Sequence, residues 1–492
     1  MDVAVIVLAL LFVAALALGG PPRCVPPWAA LFALSAAISA RLRLGELREG
    51  RDWIRSRPQA ALFWLCLTLY LASFRWHGGD DIPNSVLPFM ILRHGTLSFD
   101  PFRSWAGDPA LRELIITVNG RLLSFYPVAP AVMATPLYVI PALAGFTPSD
   151  PFLHNMAKIS GALITALSVL VLYRALTKRF SPGASLSASV LYGLGTFAFS
   201  VSSQALYSHG PAQFGVALGI LGILTPGGRW AAASGLGMGL AVISREDSAF
   251  FALASGAYFL FHERRRLPGY VLGAAAPVLL NLAYWRWYGG AFRPPYQAIQ
   301  AQLFGPFDPG AMAAMVLSPS RGLLTYMPAA VFGVWGLGRA CRDERVRWAP
   351  YFAAACAATW VFYGFRQSWT GGVSFGTRYL SVVAMLLAYF SAEVGDDVAR
   401  SAPLRRAWAG AFAVSILIHA VGAFLTWPGV AMTLQEQAAT LWRIRMHPLA
   451  HLFVAEGPMG SLPAAVRYAV CVGVLASSWP LARFIDRRLS PC

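Results

Sequence analysis

The chain has 492 residues, of which 57% are hydrophobic and 12% charged, with a mean hydropathy of +0.56. A soluble core of this length needs polar faces on its helices, whereas here apolar runs of about 15 to 20 residues recur from end to end and are apolar all round. The net charge of +17 does not indicate a nucleic-acid binder. It is almost entirely arginine, Lys158 and Lys178 being the two lysines, and it falls in short clusters between apolar spans as the positive-inside rule expects. Six scattered cysteines without CxxC spacing support neither a disulfide framework nor a zinc site.

The composition therefore predicts an all-α, polytopic transmembrane helix bundle. Spans are expected near Val3–Leu18, Trp28–Ala40, Ala61–Phe74, Met156–Tyr173, Ala184–Val201, Ala212–Leu224, Trp230–Ile243, Ser248–Phe261, Gly269–Trp285, Leu323–Leu337, Trp348–Gly364, Tyr379–Ala392, Trp408–Leu425 and Val466–Phe484, fourteen in all. The first run lacks a basic leader and a small-residue cleavage site, so it reads as a retained helix. A further apolar segment, Val128–Gly145, is interrupted by Pro130, Pro136 and Pro141 and is expected to be a broken, non-crossing or re-entrant helix.

Charge arbitrates the topology. The loop Arg41–Arg57 holds six arginines and is assigned to the cytoplasm. Downstream, one alternating set of loops carries 17 positive charges and the other 8, spread over longer stretches. The richer set becomes cytoplasmic if Val128–Gly145 does not cross. Three parts follow: residues 1–58 with two N-terminal spans and the Arg-rich loop, a core at 59–392 with a long first outer loop at 75–155, and 393–492 with an outer loop at 426–465. His77, Asp80, Asp81, Arg121, Tyr126, His209, Arg245, Glu246, Asp247, Arg321, Arg366, Trp369 and Arg378 then share the outer side. Chemistry is expected there.

The adjacent carboxylates Asp80 and Asp81 follow a span directly, where an acid is costly to insert and usually has a function. They suit a catalytic base, and Asp81 also reads as a helix N-cap before Ile82-Pro83. The arginines 121, 245, 321, 366 and 378 suit a phosphate, since guanidinium forks bind its oxygens in pairs. Arg378 closes a Gly-rich loop whose backbone allows close approach to a ligand. His77 and His209 suit substrate binding or proton transfer, and Trp369 and Trp105 suit stacking on a sugar face. Each also has a bland reading: snorkelling arginines, interfacial aromatics, and a local ion pair for Arg245 with Glu246-Asp247. No metal is assigned, although Asp80, Asp81 and Glu246 or Asp247 are oxygen ligands of the kind hard divalent ions take.

The acidic pair after an early span, the long first outer loop, and the motifs Ser124-Phe125-Tyr126-Pro127, Ser208-His209-Gly210-Pro211, Ser318-Pro319-Ser320-Arg321-Gly322 and Trp369-Thr370-Gly371-Gly372 through Arg378-Tyr379 resemble the GT-C type of polytopic membrane glycosyltransferase. The dolichyl-phosphate-mannose-dependent mannosyltransferases belong to this type. The resemblance covers most of residues 60–392. It implies a polyprenyl-phosphate-linked sugar donor, an acceptor lipid, glycan or protein, and an inverting displacement with an Asp of the first outer loop, Asp81 or Asp80, as base. It also implies a site on the outer face of a bacterial cytoplasmic membrane, with Arg121, Tyr126, His209, Arg245, Arg378, Trp369 and His77 as substrate-binding residues and no cofactor. Phe125 stands where such enzymes often carry a basic residue before Tyr-Pro, and Arg121 is the nearest substitute. The competing class is a transporter or flippase of lipid-linked envelope precursors; such proteins tend to show internal repeats and midplane polar residues, which are not evident here.

Overall fold

The computed structural model describes residues 57–73, 79, 81–107, 114–145, 150–297, 301–372, 374–424 and 439–451. The spans at Val3–Leu18, Trp28–Ala40 and Val466–Phe484, together with His77 and Asp80, lie outside the described residues.

The apolar runs fold into helices that pack as a bundle. In chain order these are α1 (Pro58–Ala72), α2 (Ile82–His94), α3 (Ala129–Leu143), α4 (Asp150–Leu176), α5 (Pro182–Leu194), α6 (His209–Leu224), α7 (Gly228–Ser244), α8 (Ala249–His262), α9 (Leu267–Gly289), α10 (Pro309–Leu317), α11 (Leu323–Tyr326), α12 (Ala330–Ala340), α13 (Ala349–Gly364), α14 (Ser381–Phe390), α15 (Gly395–Arg400) and α16 (Ala402–Phe424). Among the described residues, three stretches are long and apolar enough by themselves to cross a bilayer: Leu153–Leu176, Arg264–Gly289 and Ala402–Phe424. The chain is a polytopic helical membrane protein. The outward face of α9, with Leu272, Leu279, Leu280 and Trp287 exposed, is suited to lipid.

Several expected spans are shorter or divided. The run at 184–201 ends as an α-helix at Leu194 and resumes as a π-helical turn, Ala198–Ser202. The run at 323–337 is split into α11 and α12 around Met327-Pro328, because proline removes a donor and disfavours helical geometry in the residue before it. Conversely, Val128–Gly145 is not broken: α3 runs through Pro136 and Pro141 for 15 residues. At about 1.5 Å per residue it is about 22 Å long, less than a hydrocarbon core of about 30 Å.

The segment before α3 holds a feature absent from the sequence reading, an antiparallel hairpin of β1 (Ile115–Val118) and β2 (Arg121–Ser124). Its two-residue turn is Asn119-Gly120, with φ of 51° and 76°, the left-handed pair that a tight hairpin requires. The hairpin is tied to the end of α9, where Asn119 Nδ2 donates to the Gly289 carbonyl at 3.1 Å. Asp100 Oδ1 accepts the Leu122 amide at 3.1 Å, fastening β2 to the preceding 3-10 turn.

Small residues let the central helices touch backbone to backbone. A Cβ on Gly215 of α6 would overlap the Gly237 carbonyl of α7, and one on Gly235 of α7 would overlap the Tyr270 carbonyl of α9. In a bilayer, where apolar side chains gain little by leaving lipid, such close packing is a main source of helix association.

Candidate functional site

The helices place most of the polar residues singled out in the sequence at one end of the bundle. Starting there are α2, α4, α6, α8 and α14; ending there are α1, α7, α9 and α13. The direct links are a hydrogen bond between α6 and α14, ion-pair contact between α2 and α4, and the α7–α8 turn bonded to the end of α13.

Arg245 is the C-cap residue of α7, in extended backbone that throws its side chain across the bundle end. Its Nε donates to Asp247 Oδ1 at 3.1 Å and its Nη2 to Asp247 Oδ2 at 3.2 Å, the paired fork expected of Arg and carboxylate. Nη2 also donates to the Tyr363 hydroxyl at 2.6 Å, and that hydroxyl donates to Asp247 Oδ2 at 3.0 Å. Glu246 turns elsewhere and accepts from the Tyr296 hydroxyl at 2.8 Å. Burial pushes the Glu246 carboxyl above its ordinary pKa. The local ion pair expected of this turn therefore involves Asp247 and not Glu246.

His209 opens α6 and is 2% exposed. Arg245 Nη1 lies 3.3 Å from its Nε2. A guanidinium has donors and no acceptor, so Nε2 is the accepting nitrogen and Nδ1 carries the proton, directed at Ser381 Oγ 3.1 Å away. Gln213, one turn on, donates to the Ser381 carbonyl at 3.0 Å. His209 thus bolts α6 to α14 and positions Arg245. With both ring nitrogens engaged it has no nitrogen left for the direct substrate contact or proton transfer expected of it.

Three guanidinium groups gather on Tyr379, whose ring stacks on Tyr363 at 4.5 Å and 7°. Their carbons lie over the Tyr379 ring at 5.6 Å for Arg245, 5.2 Å for Arg366 and 5.8 Å for Arg378. Arg366 also covers Phe304, and Arg378 also covers Tyr207. Cations of like sign do not gather at one ring without a reason, and the ring quadrupole supplies part of it. Arg378 follows the loop of Gly371, Gly372 and Gly376, all with φ between 60° and 75°, where a side chain would be strained. Arg321 holds that loop: it is 3% exposed and donates to the Gly372 carbonyl at 3.2 Å, to the Gly376 carbonyl at 3.4 Å and to the Ser374 carbonyl. Its engagement with backbone carbonyls makes it part of the loop's framework. Trp369 is 7% exposed and belongs to the core, which leaves little of its ring for a sugar.

Asp81 sits at the N-cap position of α2 but its side chain makes no capping hydrogen bond. The cap is made instead by its carbonyl, which accepts the Ser85 amide at 2.9 Å and the Ser85 hydroxyl at 2.8 Å. The carboxylate itself is 1% exposed, with Oδ2 3.9 Å from Nδ1 of His154 on α4. One turn along α4, the fully buried Lys158 ammonium donates to the Ser203 carbonyl at 2.9 Å and Gln204 Oε1 at 3.1 Å, and to Ser73 at the end of α1. The segment gripped by Lys158 continues to Tyr207, which lies under Arg378. A continuous run of contacts therefore joins the Asp81 region to the arginines.

Arg121 and Tyr126 stand at the margin. Arg121 lies over the Tyr288 ring at 5.1 Å, on the hairpin and not in the Tyr379 group. Phe125, in edge contact with both Tyr126 and Tyr296, connects the hairpin to the Glu246 turn. His154, Lys158 and Tyr363 also belong to this end, and no local motif in the sequence marks them. Among the described residues no group of three or more His, Cys, Asp or Glu side chains is gathered to hold a metal.

No family model matches the chain, and no curated protein matches it in sequence. Its structure is similar to that of ArnT from Cupriavidus metallidurans bound to undecaprenyl phosphate, with a TM-score of 0.51 at 15% identity, over 89% of this chain and 74% of that one. The chain has a GT-C fold. A lower similarity reaches the archaeal oligosaccharyltransferase AglB from Archaeoglobus fulgidus, in complex with an inhibitory peptide and a dolichol-phosphate. There the TM-score is 0.46 at 13% identity, over 79% of this chain and 58% of that one. Within this fold, the end bearing Asp81 and the Tyr379 arginines is the candidate active site.

Proposed function

We propose that this GT-C chain is an integral membrane glycosyltransferase. It moves a sugar from a polyprenyl-phosphate donor to an acceptor on the outer side of a bacterial cytoplasmic membrane. The observation that carries the reading is the convergence of Arg245, Arg366 and Arg378 on Tyr379 at the same bundle end as the buried Asp81 carboxylate. The undecaprenyl phosphate bound to ArnT is a ligand of the same class.

In this reading the acceptor hydroxyl attacks the anomeric carbon and its proton passes to Asp81. The bond from that carbon to the phosphate oxygen breaks, and its electron pair leaves on the phosphate with inversion at carbon. Arg245, Arg366 and Arg378 meet the charge that develops there, in a setting where guanidinium groups already held in place need no reorganisation. Asp80 is the alternative base. The exposed apolar side chains of α9 and α3, Leu272, Leu279, Leu280, Ile140 and Leu143 among them, suit contact with the polyprenyl tail in the bilayer.

The test is the purified protein in lipid nanodiscs with radiolabelled polyprenyl-phosphate sugars and a membrane lipid extract as acceptor. Label leaving the lipid phosphate, and ceasing to do so in Arg378→Ala and Asp81→Asn, supports the enzyme. Intact labelled lipid crossing vesicle membranes without cleavage would instead identify a transporter or flippase.

A further inference from the structure

Asp81 is a carboxylate placed where water scarcely reaches it, and a buried carboxylate tends to take up a proton. A base that is already protonated accepts nothing. The proposed function therefore requires something at Asp81 that favours the charged form. Its own helix does not supply it: α2 offers Ser85, which bonds the Asp81 carbonyl, and its basic residues Arg93 and His94 are in the last turn. From α3 comes Tyr138, fully buried, its hydroxyl beside Ser85 and Ser160 and near enough to feel the Asp81 charge. The described end of α1 carries Ser73, whose hydroxyl is bound to Lys158. From α4 come His154 and, four residues later on the same face, Lys158.

Of these, His154 faces the carboxylate directly. Its Nδ1 is 3.9 Å from Asp81 Oδ2, too long for a hydrogen bond but within ion-pair distance, and it is 8% exposed. The Lys158 ammonium is bound to carbonyl and amide oxygens of Ser203 and Gln204 and to Ser73. That grip fixes the first turns of α4 against both α1 and the 203–204 segment, and so fixes where His154 stands.

We propose that His154 is the positioning partner of Asp81, its imidazolium holding the carboxylate in the charged, proton-accepting form and aimed for the acceptor hydroxyl. This rests on the reading of Asp81 as base. His154 does not touch the sugar or the phosphate; it acts through Asp81. Substituting it alters the protonation and turnover of Asp81 and leaves donor binding, which belongs to the arginines, in place.

The experiment has a readout that does not depend on glycosyl transfer. A hydrophobic carbodiimide reacts with a carboxyl group when it is protonated, so the rate of Asp81 labelling, followed by peptide mass spectrometry in nanodiscs, reports its charge state. Fragment ions separate an adduct on Asp81 from one on Asp80 in the same peptide, and Asp81→Asn is the control that removes the Asp81 adduct. In His154→Gln and His154→Asn, labelling near neutral pH is expected to rise about tenfold, while His154→Lys, which restores a cation, stays near the wild-type rate. In the transfer assay His154→Gln is expected to lower kcat about tenfold or more with donor KM within about twofold, and to move the acid limb of the pH profile upward. If labelling and the acid limb are the same in His154→Gln as in the wild type, the pairing is wrong. If one variant does not fold, the other and His154→Lys decide. If the wild type transfers no sugar but the labelling responds as expected, the pair stands and the glycosyltransferase reading fails.

Discussion

The two ends of the bundle treat their arginines differently. At the end where α4 finishes, cations meet carboxylates one to one: Arg179 with Glu393 at 2.9 Å, Arg266 with Glu263 at 2.7 Å, Arg345 with Asp343 at 3.0 Å, and Arg339 with Asp397. At the end where α4 begins, Arg245, which also pairs with Asp247, is laid with Arg366 and Arg378 on one tyrosine ring, and Arg321 is wrapped in loop carbonyls. The first arrangement neutralises charge pair by pair; the second brings three guanidinium groups to one ring, an arrangement suited to a phosphate.

The largest effect should separate these ends. Arg378→Ala or Arg245→Ala is expected to lower sugar transfer by about a hundredfold to a thousandfold, the cost of removing one preorganised donor to a developing charge. Arg339→Ala at the other end is expected to leave the rate within about twofold, since exposed pairs contribute little. Equal losses in the nanodisc transfer assay would erase the distinction. Asp81→Asn comes next, with turnover falling about a hundredfold or more while lipid-phosphate binding persists, as expected for a general base. A donor-binding titration beside the rate measurement checks it.

Stability sharpens the comparison further. Lys158→Met strands the oxygens of Ser203, Gln204 and Ser73 that its ammonium satisfies, and should cost about 1–3 kcal/mol, seen as a lower unfolding temperature in detergent. Arg345→Ala, on a side chain 90% exposed, should leave that temperature unchanged. The smallest effect concerns Glu246. Because burial raises its carboxyl pKa in the folded protein, its contribution is greatest below the ordinary Glu range and is lost as pH rises through the folded value. Hydrogen exchange around Tyr296 should therefore quicken as pH rises above the ordinary range, beyond the intrinsic pH dependence of exchange. Glu246→Gln should remove that added dependence.

Much of the architecture was legible in the apolar runs, because a segment that is apolar throughout has few folds open to it in lipid. The tight turn at Arg245-Glu246-Asp247 and the Gly-rich loop before Arg378 were legible as well. The Asn119-Gly120 turn is a readable hairpin signal in the sequence, an Asn-Gly pair between Ile115–Val118 and Arg121–Ser124. Lys158 had a signal too, a lysine inside a span, but the rarity of lysine was read as composition. His154 was not legible, since its role comes from a contact across 73 residues to Asp81; Tyr379 was visible as the end of the Gly-rich motif, but its meeting with Arg245 across 134 residues was not, because no local pattern encodes it. For Asp81 the capping position was correctly foreseen, yet its side chain does no capping, since the backbone carbonyl and Ser85 perform it.

The glycines of α7 carry a consequence for Arg245. That helix is clamped on two sides, by α6 through Gly215 and Gly237 and by α9 through Gly235 and Gly273, with main chain against main chain. Side chains between helices act as springs with several rest lengths; bare backbone has one. Arg245, mounted on the last residue of this rod, inherits its tolerance from glycines several turns away. A methyl group added at Gly235 would not approach the phosphate, yet it would shift the mount and detune the site from a distance.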